Sequence, residues 1–177
     1  PERERGVADY AGSVVDLNAA KQALFEQLID EHVGADECGA FLVWGDPALY
    51  DSSIRILDAI LASGRLSFDY EVIPGITSVQ ALAARHRIAL NHIGGAVQIT
   101  TGRRLAREGM PAGVQDVVVM LDAQDSYTGL RGQDLEIFWG AYVGTPDELL
   151  IAGRLDEVAE RIRETRLAAR EANGWIM

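Results

Sequence analysis

Ala40-Phe41-Leu42-Val43-Trp44 is an uninterrupted apolar run stopped by Gly45-Asp46-Pro47. Five apolar residues closed by a turn signal are the pattern of a strand buried on both faces, which is how the strands of parallel α/β sheets read. Upstream, residues 12–33 place Val14, Leu17, Leu24, Leu28 and Ile29 near helical spacing and stop at Gly34, the pattern of an amphipathic helix buried on one side. Downstream, Ile54, Leu57, Ile60 and Leu61 mark a second helix that ends at Gly64. Phe68 to Ile73 is a second strand candidate, is broken by Pro74-Gly75, and leads into an Ala- and Val-rich helix over Ile76 to Ala84. Strand, turn and helix therefore alternate, which predicts an α/β architecture.

The rest of the chain predicts strands at Ala96–Thr100, Val117–Leu121, Glu136–Val143 and Leu149–Ala152. A long helix follows from Asp156 to about Asn173, with Asn173-Gly174 as its stop. Adjacent strands near 136–152 make this second half mixed rather than strictly parallel. The seam falls at Pro74-Gly75, giving regions 1–74 and 75–177.

The 177 residues, 48% hydrophobic and 24% charged, suffice for one core or two small ones and exclude a disordered chain. Sixteen Lys and Arg against 27 Asp and Glu leave a net charge of −11, and Lys21 is the sole lysine. Such a surface repels phosphates, so nucleic acid is excluded as the expected partner. Cys38 is the one cysteine and cannot close an internal disulfide. With three scattered histidines it cannot build a thiolate or His-rich metal site, and a reducing cytoplasmic setting is expected. No apolar stretch nears the roughly 20 residues that span a bilayer, so no membrane partner is expected.

Gly45-Asp46-Pro47 lies where open α/β sheets place ligand loops, and it is equally a plain turn. Pro74-Gly75-Ile76-Thr77-Ser78 offers bare backbone and two hydroxyls at a helix start, or simply a helix cap. Gly144-Thr145-Pro146-Asp147-Glu148 could seat a cofactor edge or merely turn the chain. Arg85, His86, Arg87 and His92 cluster in sequence, as do Arg103, Arg104 and Arg107, and together they suit a small polyanion. His86, His92, Tyr50, Asp51, Glu71 and Tyr142 are the acid–base candidates. Phosphate-binding loops, dinucleotide fingerprints, nucleophile elbows and zinc-protease motifs are all missing from the sequence.

The order of these loops resembles the tetrapyrrole methylase family, two-domain S-adenosylmethionine enzymes. The residues that carry the likeness are Trp44 to Tyr50, Glu71 to Ser78, Val118 to Leu121 and Gly144 to Glu148 ahead of Ile151-Ala152-Gly153. Within that family, Phe41 to Tyr50, Tyr70 to Ile93, Ile99 to Arg104 and Trp139 to Glu148 look like the deacetylating branch of cobalamin assembly. The resemblance implies methylation of a precorrin-5 carbon with loss of acetate to give precorrin-6A. It implies a mainly parallel first domain, of which 1–74 is the remainder, and a mixed α/β domain over 75–177, with the cofactor in the cleft between. A first strand and glycine-rich loop would precede Pro1-Glu2-Arg3-Glu4-Arg5, and a closing strand would continue past Trp175-Ile176-Met177.

By the same resemblance, Trp44, Gly45, Asp46, Thr77, Ser78, Met120, Leu121, Ala141 and Tyr142 hold S-adenosylmethionine, although relatives carry a glycine where Trp44 stands. Arg103, Arg104, Arg85 and Arg87 would take the carboxylates of the macrocycle. Asp51, Glu71, His86 and Tyr142 are the unranked bases for deacetylation, and a homodimer is implied. Two alternatives are a methylase of the same fold acting on RNA or protein, and a non-catalytic small-molecule-binding domain.

Overall fold

A computed structural model describes residues 10–174. The charged opening Pro1 to Arg5 and the expected closing strand at Trp175 to Met177 lie outside the described residues. The chain divides in sequence into two compact units, one ending at Thr77 and the other beginning at Ser78, three residues past Pro74-Gly75.

The first unit contains α1 (Tyr10–His32) packed on α2 (Ser53–Ser63). Half-buried positions of α1 recur at Leu17, Lys21, Phe25 and Ile29, each four apart, as a one-sided helix requires. Leu24 and Leu28, read from sequence as part of that stripe, fall outside it and are exposed, because Phe25 occupies the face instead. Phe25 stacks on Phe41 with ring centroids 4.1 Å apart, which ties the apolar run to the helix. In α2, Ile56 and Ile60 are one turn apart and buried, and Gly64 closes the helix in a left-handed conformation (φ 68°).

The two strands expected in this unit do not form. Residues 40–44 and 68–73 join no ladder, and Leu42 (96% exposed), Trp44 (81%) and Ile73 (77%) face outward rather than into a sheet. An apolar run reports a demand for burial, whereas a strand also needs a neighbour for its backbone N–H and C=O groups. Among the described residues no such neighbour is present.

The second unit holds α3 (Ser78–His86), β1 (Val97–Thr101), α4 (Gly102–Glu108), β2 (Asp116–Met120), a 3₁₀ turn (Ser126–Leu130), β3 (Glu136–Ala141), β4 (Leu149–Arg154) and α5 (Leu155–Asn173). All four strands and both longer helices fall within one or two residues of their sequence-predicted ranges. β1 and β2 pair in parallel, Val97 opposite Asp116 through Thr101 opposite Met120. β3 and β4 pair antiparallel, Glu136 opposite Arg154 through Ala141 opposite Leu149. The mixed character of this half thus takes the form of one parallel and one antiparallel two-stranded ladder.

The core joins Leu105 of α4, Tyr127 and Leu130 of the 3₁₀ turn, Ile151 of β4, and Leu155, Val158, Ala159 and Ile162 of α5. The α5 contributions sit at helical spacing, which is why its sequence pattern was readable. α4 was not anticipated. Thr101 caps it, its side chain accepting from the Arg104 amide at 3.4 Å, a hydroxyl-before-helix signal present in Thr101-Gly102-Arg103-Arg104. No helix among the described residues is long and apolar enough to cross a membrane.

Candidate functional site

In the first unit, two loops 29 residues apart in sequence meet. Asp46 accepts the Ala48 amide on Oδ1 and the Gly75 amide on Oδ2, both at 2.8 Å. Gly45 is left-handed (φ 73°), and a Cβ built on Gly75 would stand 2.0 Å from the Gly45 carbonyl oxygen. Only hydrogen fits between the two backbones, so Gly75 is required by close approach. The Gly75 amide first, and the Ala48 amide second, hold the Asp46 carboxyl below its ordinary value of 3.8.

The tie between the loops therefore has a definite pH dependence. A carboxylate whose folded value is depressed contributes fully above 3.8 and is lost only as pH falls through the lower, folded value. In an acid titration followed by NMR, the Gly75 amide shift is expected to stay constant down to 3.8 and to move below it. An inflection above that value would show that the hydrogen bonds do not stabilise the anion.

The remaining sequence-predicted residues of this unit are distributed as follows. Trp44 is exposed beside Gly45. Asp51 accepts the Ser53 amide at 2.6 Å and its carbonyl accepts from Arg55, so this carboxylate caps the start of α2 rather than standing ready as a base. Glu71 is exposed. Thr77 is buried, and Ser78 is exposed as the first residue of α3.

In the second unit the candidates form two groups. The first lies at the carboxyl ends of the parallel ladder, where Thr101 pairs with Met120 and the chain leaves β2 through Leu121, left-handed at φ 56° and 62% exposed. A Cβ on Gly102 would meet the Asp122 carboxylate at 2.5 Å and its Cα at 2.7 Å, so the two strand ends are pressed together there. Asp122, which sequence reasoning did not single out, accepts the Ser126 amide and hydroxyl at 2.7 and 2.8 Å and shapes the turn beyond.

Arg103 and Arg104 open α4 at the same end. Arg104 donates from Nε to Glu108 at 2.6 Å, and with Arg107 it holds the Glu108 carboxyl below the usual range. A groove of about 250 Å³ beside α4 is lined in part by Thr100, Arg104, Leu105, Glu108 and Met110.

The second group joins the end of α3 to the β3–β4 arm. Ala141 is fully buried, and Tyr142 leaves β3 in a left-handed conformation (φ 51°), its carbonyl accepting the Thr145 amide at 3.0 Å. His86 donates its Nε2 proton to the Trp139 carbonyl at 3.0 Å, with its ring edge-on to Phe138. That bond leaves only Nδ1 to act as a base. Arg85 is paired with Glu148, and Arg87 is exposed and left-handed. His92, grouped with these by sequence proximity, sits instead on Asp116 at the start of β2, the end of that strand away from Met120.

Leu121 and Tyr142 share a feature: each is a bulky residue held left-handed immediately after a strand. Such conformations cost on the order of 1–3 kcal/mol and cluster where loops are shaped for a ligand. Within the first unit, the Asp46 carboxylate and the backbone crossing at Gly75 are features able to meet a cationic or hydroxylated small molecule; within the second, the two left-handed strand exits shape loops of the kind that line a ligand. The arginines of α4 could meet an anionic one.

A family model described as Tetrapyrrole (Corrin/Porphyrin) Methylases matches residues 4–159. A precorrin-6A synthase (deacetylating) from Sinorhizobium sp is 51% identical over all 177 residues, which span 67% of that protein. The crystal structure of a cobalamin synthesis related protein (CobF) from Corynebacterium diphtheriae matches with a TM-score of 0.83 at 39% identity, covering 90% of this chain and 67% of that one. The uroporphyrin-III C-methyl transferase of Thermus thermophilus, solved with S-adenyl homocysteine, matches with a TM-score of 0.56 at 22% identity. That match covers 81% of this chain and 66% of the other, and is a likeness of fold alone.

Proposed function

The chain belongs to the tetrapyrrole (corrin/porphyrin) methylase family, and from that premise we propose that it methylates a carbon of precorrin-5 and releases acetate, giving precorrin-6A. It is an S-adenosylmethionine-dependent methyltransferase of cobalamin biosynthesis. The observation that carries the finer assignment is the 51% identity, sustained over the whole chain, to a synthase of that activity.

The donor, when bound, supplies an electrophilic methyl group on a cationic sulfur. Methyl transfer of this kind needs little acid–base help, and the protein accelerates it by holding donor and acceptor in line in a dry site. The chain's own residues suit that task. Asp46 stays ionised through the physiological range and faces a cation or a ribose hydroxyl at no protonation cost. The glycines at 45 and 75 let backbone approach the ligand without a side chain between. Thr77 and Ser78 are assigned to its carboxylate side, and Met120, Leu121, Ala141 and Tyr142 to its adenosine.

The acidic balance of the chain opposes a macrocycle that carries many carboxylates, so local arginines must offset it. Arg103, Arg104 and the exposed Arg87 are assigned to that task as guanidinium–carboxylate pairs. At Arg104 a substrate carboxylate would share the guanidinium with Glu108. Deacetylation adds water to the acetyl carbonyl and requires a group to take its proton. The Nε2 of His86 and the Tyr142 hydroxyl, which donates to the Ala169 carbonyl at 3.4 Å, are committed to backbone partners and Asp51 accepts the Ser53 amide, whereas the exposed Glu71 and the Nδ1 of His86 remain suited to the role.

The test is to supply the full-length protein with S-adenosylmethionine and precorrin-5 and to follow products by mass spectrometry. A product heavier by one methyl and lighter by one acetyl group, with stoichiometric acetate, is expected. Methylation with retention of the acetyl group would overturn the deacetylating assignment, and no methylation would overturn the substrate.

A further inference from the structure

The last turn of α3 makes two attachments to the β3–β4 arm. His86 holds the Trp139 carbonyl of β3. Arg85 donates from Nε and Nη2 to Glu148 Oε1 at 2.6 and 2.5 Å. The other oxygen of the same carboxylate, Oε2, accepts the Gly144 amide at 2.8 Å. Glu148 therefore closes the Tyr142–Glu148 loop onto itself and pins it to the helix. Its side chain is only 10% exposed, while that of Arg85 is 58% exposed. The helix beneath is firmly seated, since a Cβ on Gly140 of β3 would stand 2.5 Å from the Leu82 side chain of α3.

We infer that Glu148 is a positioning residue of the methyl-donor site: through Gly144, and with Arg85 as its anchor, it fixes the left-handed exit at Tyr142 and so sets affinity for the adenosine. The inference rests on the methylase reading and deepens it. Tyr142 holds φ 51° without being glycine, a conformation that persists only where surrounding bonds over-determine it. Those bonds are the Thr145 amide and hydroxyl on the Tyr142 carbonyl, at 3.0 and 2.8 Å, the Gly144 amide on Glu148, and the Tyr142 hydroxyl, which donates to the Ala169 carbonyl at 3.4 Å. Arg85 first, and Gly144 second, keep the Glu148 carboxyl below its usual range, so the clamp is ionised at neutral pH. Arg85, assigned from sequence to the corrin carboxylates, serves this loop instead.

An ion pair with one exposed partner contributes little by itself, so the effect is concentrated in Glu148, whose removal also orphans the Gly144 amide. Binding of S-adenosylhomocysteine to the full-length protein, read by calorimetry, gives the first measurement, and hydrogen exchange at Gly144 gives the second. Glu148→Ala is expected to weaken binding about tenfold, the loss of one charge-assisted bond, and to speed exchange at Gly144. KM for precorrin-5 should be unchanged. Glu148→Gln, which keeps an acceptor for Gly144, should recover part of the affinity, and Arg85→Ala should lose roughly threefold.

Binding by Glu148→Ala at wild-type affinity would overturn the inference, as would an equal rise in KM for precorrin-5. Should Glu148→Ala fail to fold, Arg85→Ala at its exposed position decides, and unchanged affinity and unchanged Gly144 exchange would overturn it. Wild-type protein that binds no S-adenosylhomocysteine would instead sink the methylase reading, while Gly144 exchange would still report on the clamp.

Discussion

Gly75→Ala is expected to weaken binding of S-adenosylmethionine roughly a hundredfold, corresponding to about 3 kcal/mol at the upper end of overpacking costs. The added methyl would lie 2.0 Å from the Gly45 carbonyl oxygen, far inside any real contact, and what must yield is backbone rather than the tip of a flexible side chain. Moving Gly45 away also separates Asp46 from the Gly75 amide, so the steric insult and the lost hydrogen bond fall on the same loop. A second substitution separates this from a general glycine effect. Gly64→Ala meets the left-handed penalty at φ 68° but nothing within 4 Å, so it should cost stability and leave the cofactor affinity unchanged. Calorimetric titration of both variants decides the matter. Wild-type affinity in Gly75→Ala would remove this crossing from the donor site.

Local pattern carried most of the fold because the second unit pairs with itself. Val97–Thr101 finds Asp116–Met120 only fifteen residues after it ends, and Glu136–Ala141 finds Leu149–Arg154 across a single loop. In these cases an apolar run and its ladder partner are close in the chain. Ala40–Trp44 and Phe68–Ile73 also read as strands, yet local pattern cannot say whether a partner strand is within reach, and neither segment joins a ladder. The α1 stripe shows the complementary limit. Helical spacing allowed Leu24 and Leu28, but Phe41, remote in sequence, selected the face that carries Phe25.

Site chemistry was legible where it is local and hidden where it is not. The loops at Gly45-Asp46-Pro47 and Pro74-Gly75 stood out by turn chemistry, while the hydrogen bond that joins them spans 29 residues. Arg85 read as a cation for the macrocycle's carboxylates, and the carboxylate it meets within the chain, Glu148, lies 63 residues away. Asp51 read as a base, and one of its oxygens also accepts its neighbour, the Ser53 amide, a capping signal present in Asp51-Ser52-Ser53. Residue type indicates what a side chain can do, and only its partners determine whether it is at liberty to do it.

The largest loss of stability is expected from Arg166→Ala, at about 3–5 kcal/mol, because it strands a buried carboxylate. Arg166 on α5 grips Asp125 with Nε on Oδ1 and Nη2 on Oδ2, both at 2.6 Å, and reaches the Ala123 carbonyl at 3.3 Å. Both side chains of the pair are about nine-tenths covered, 11% and 10% exposed, so water cannot replace the guanidinium. Asp125 is itself left-handed (φ 54°) and also receives the Tyr127 hydroxyl at 3.1 Å. Burial first, then the nearby Asp125 charge, pushes the Tyr127 hydroxyl well above its ordinary value, so it remains a donor at any working pH. One hydroxyl cannot compensate a desolvated anion, and the segment leading from Leu121 into the 3₁₀ turn should loosen with the pair. Removing both charges together, as Arg166→Met with Asp125→Asn, should cost much less than the sum of the two single changes, because no ion is then left unpaired. Chemical denaturation of the three variants measures the coupling. A loss below about 1 kcal/mol for Arg166→Ala, the range of solvated surface pairs, would mean that the bridge is open to water and that α5 is held by its apolar face alone.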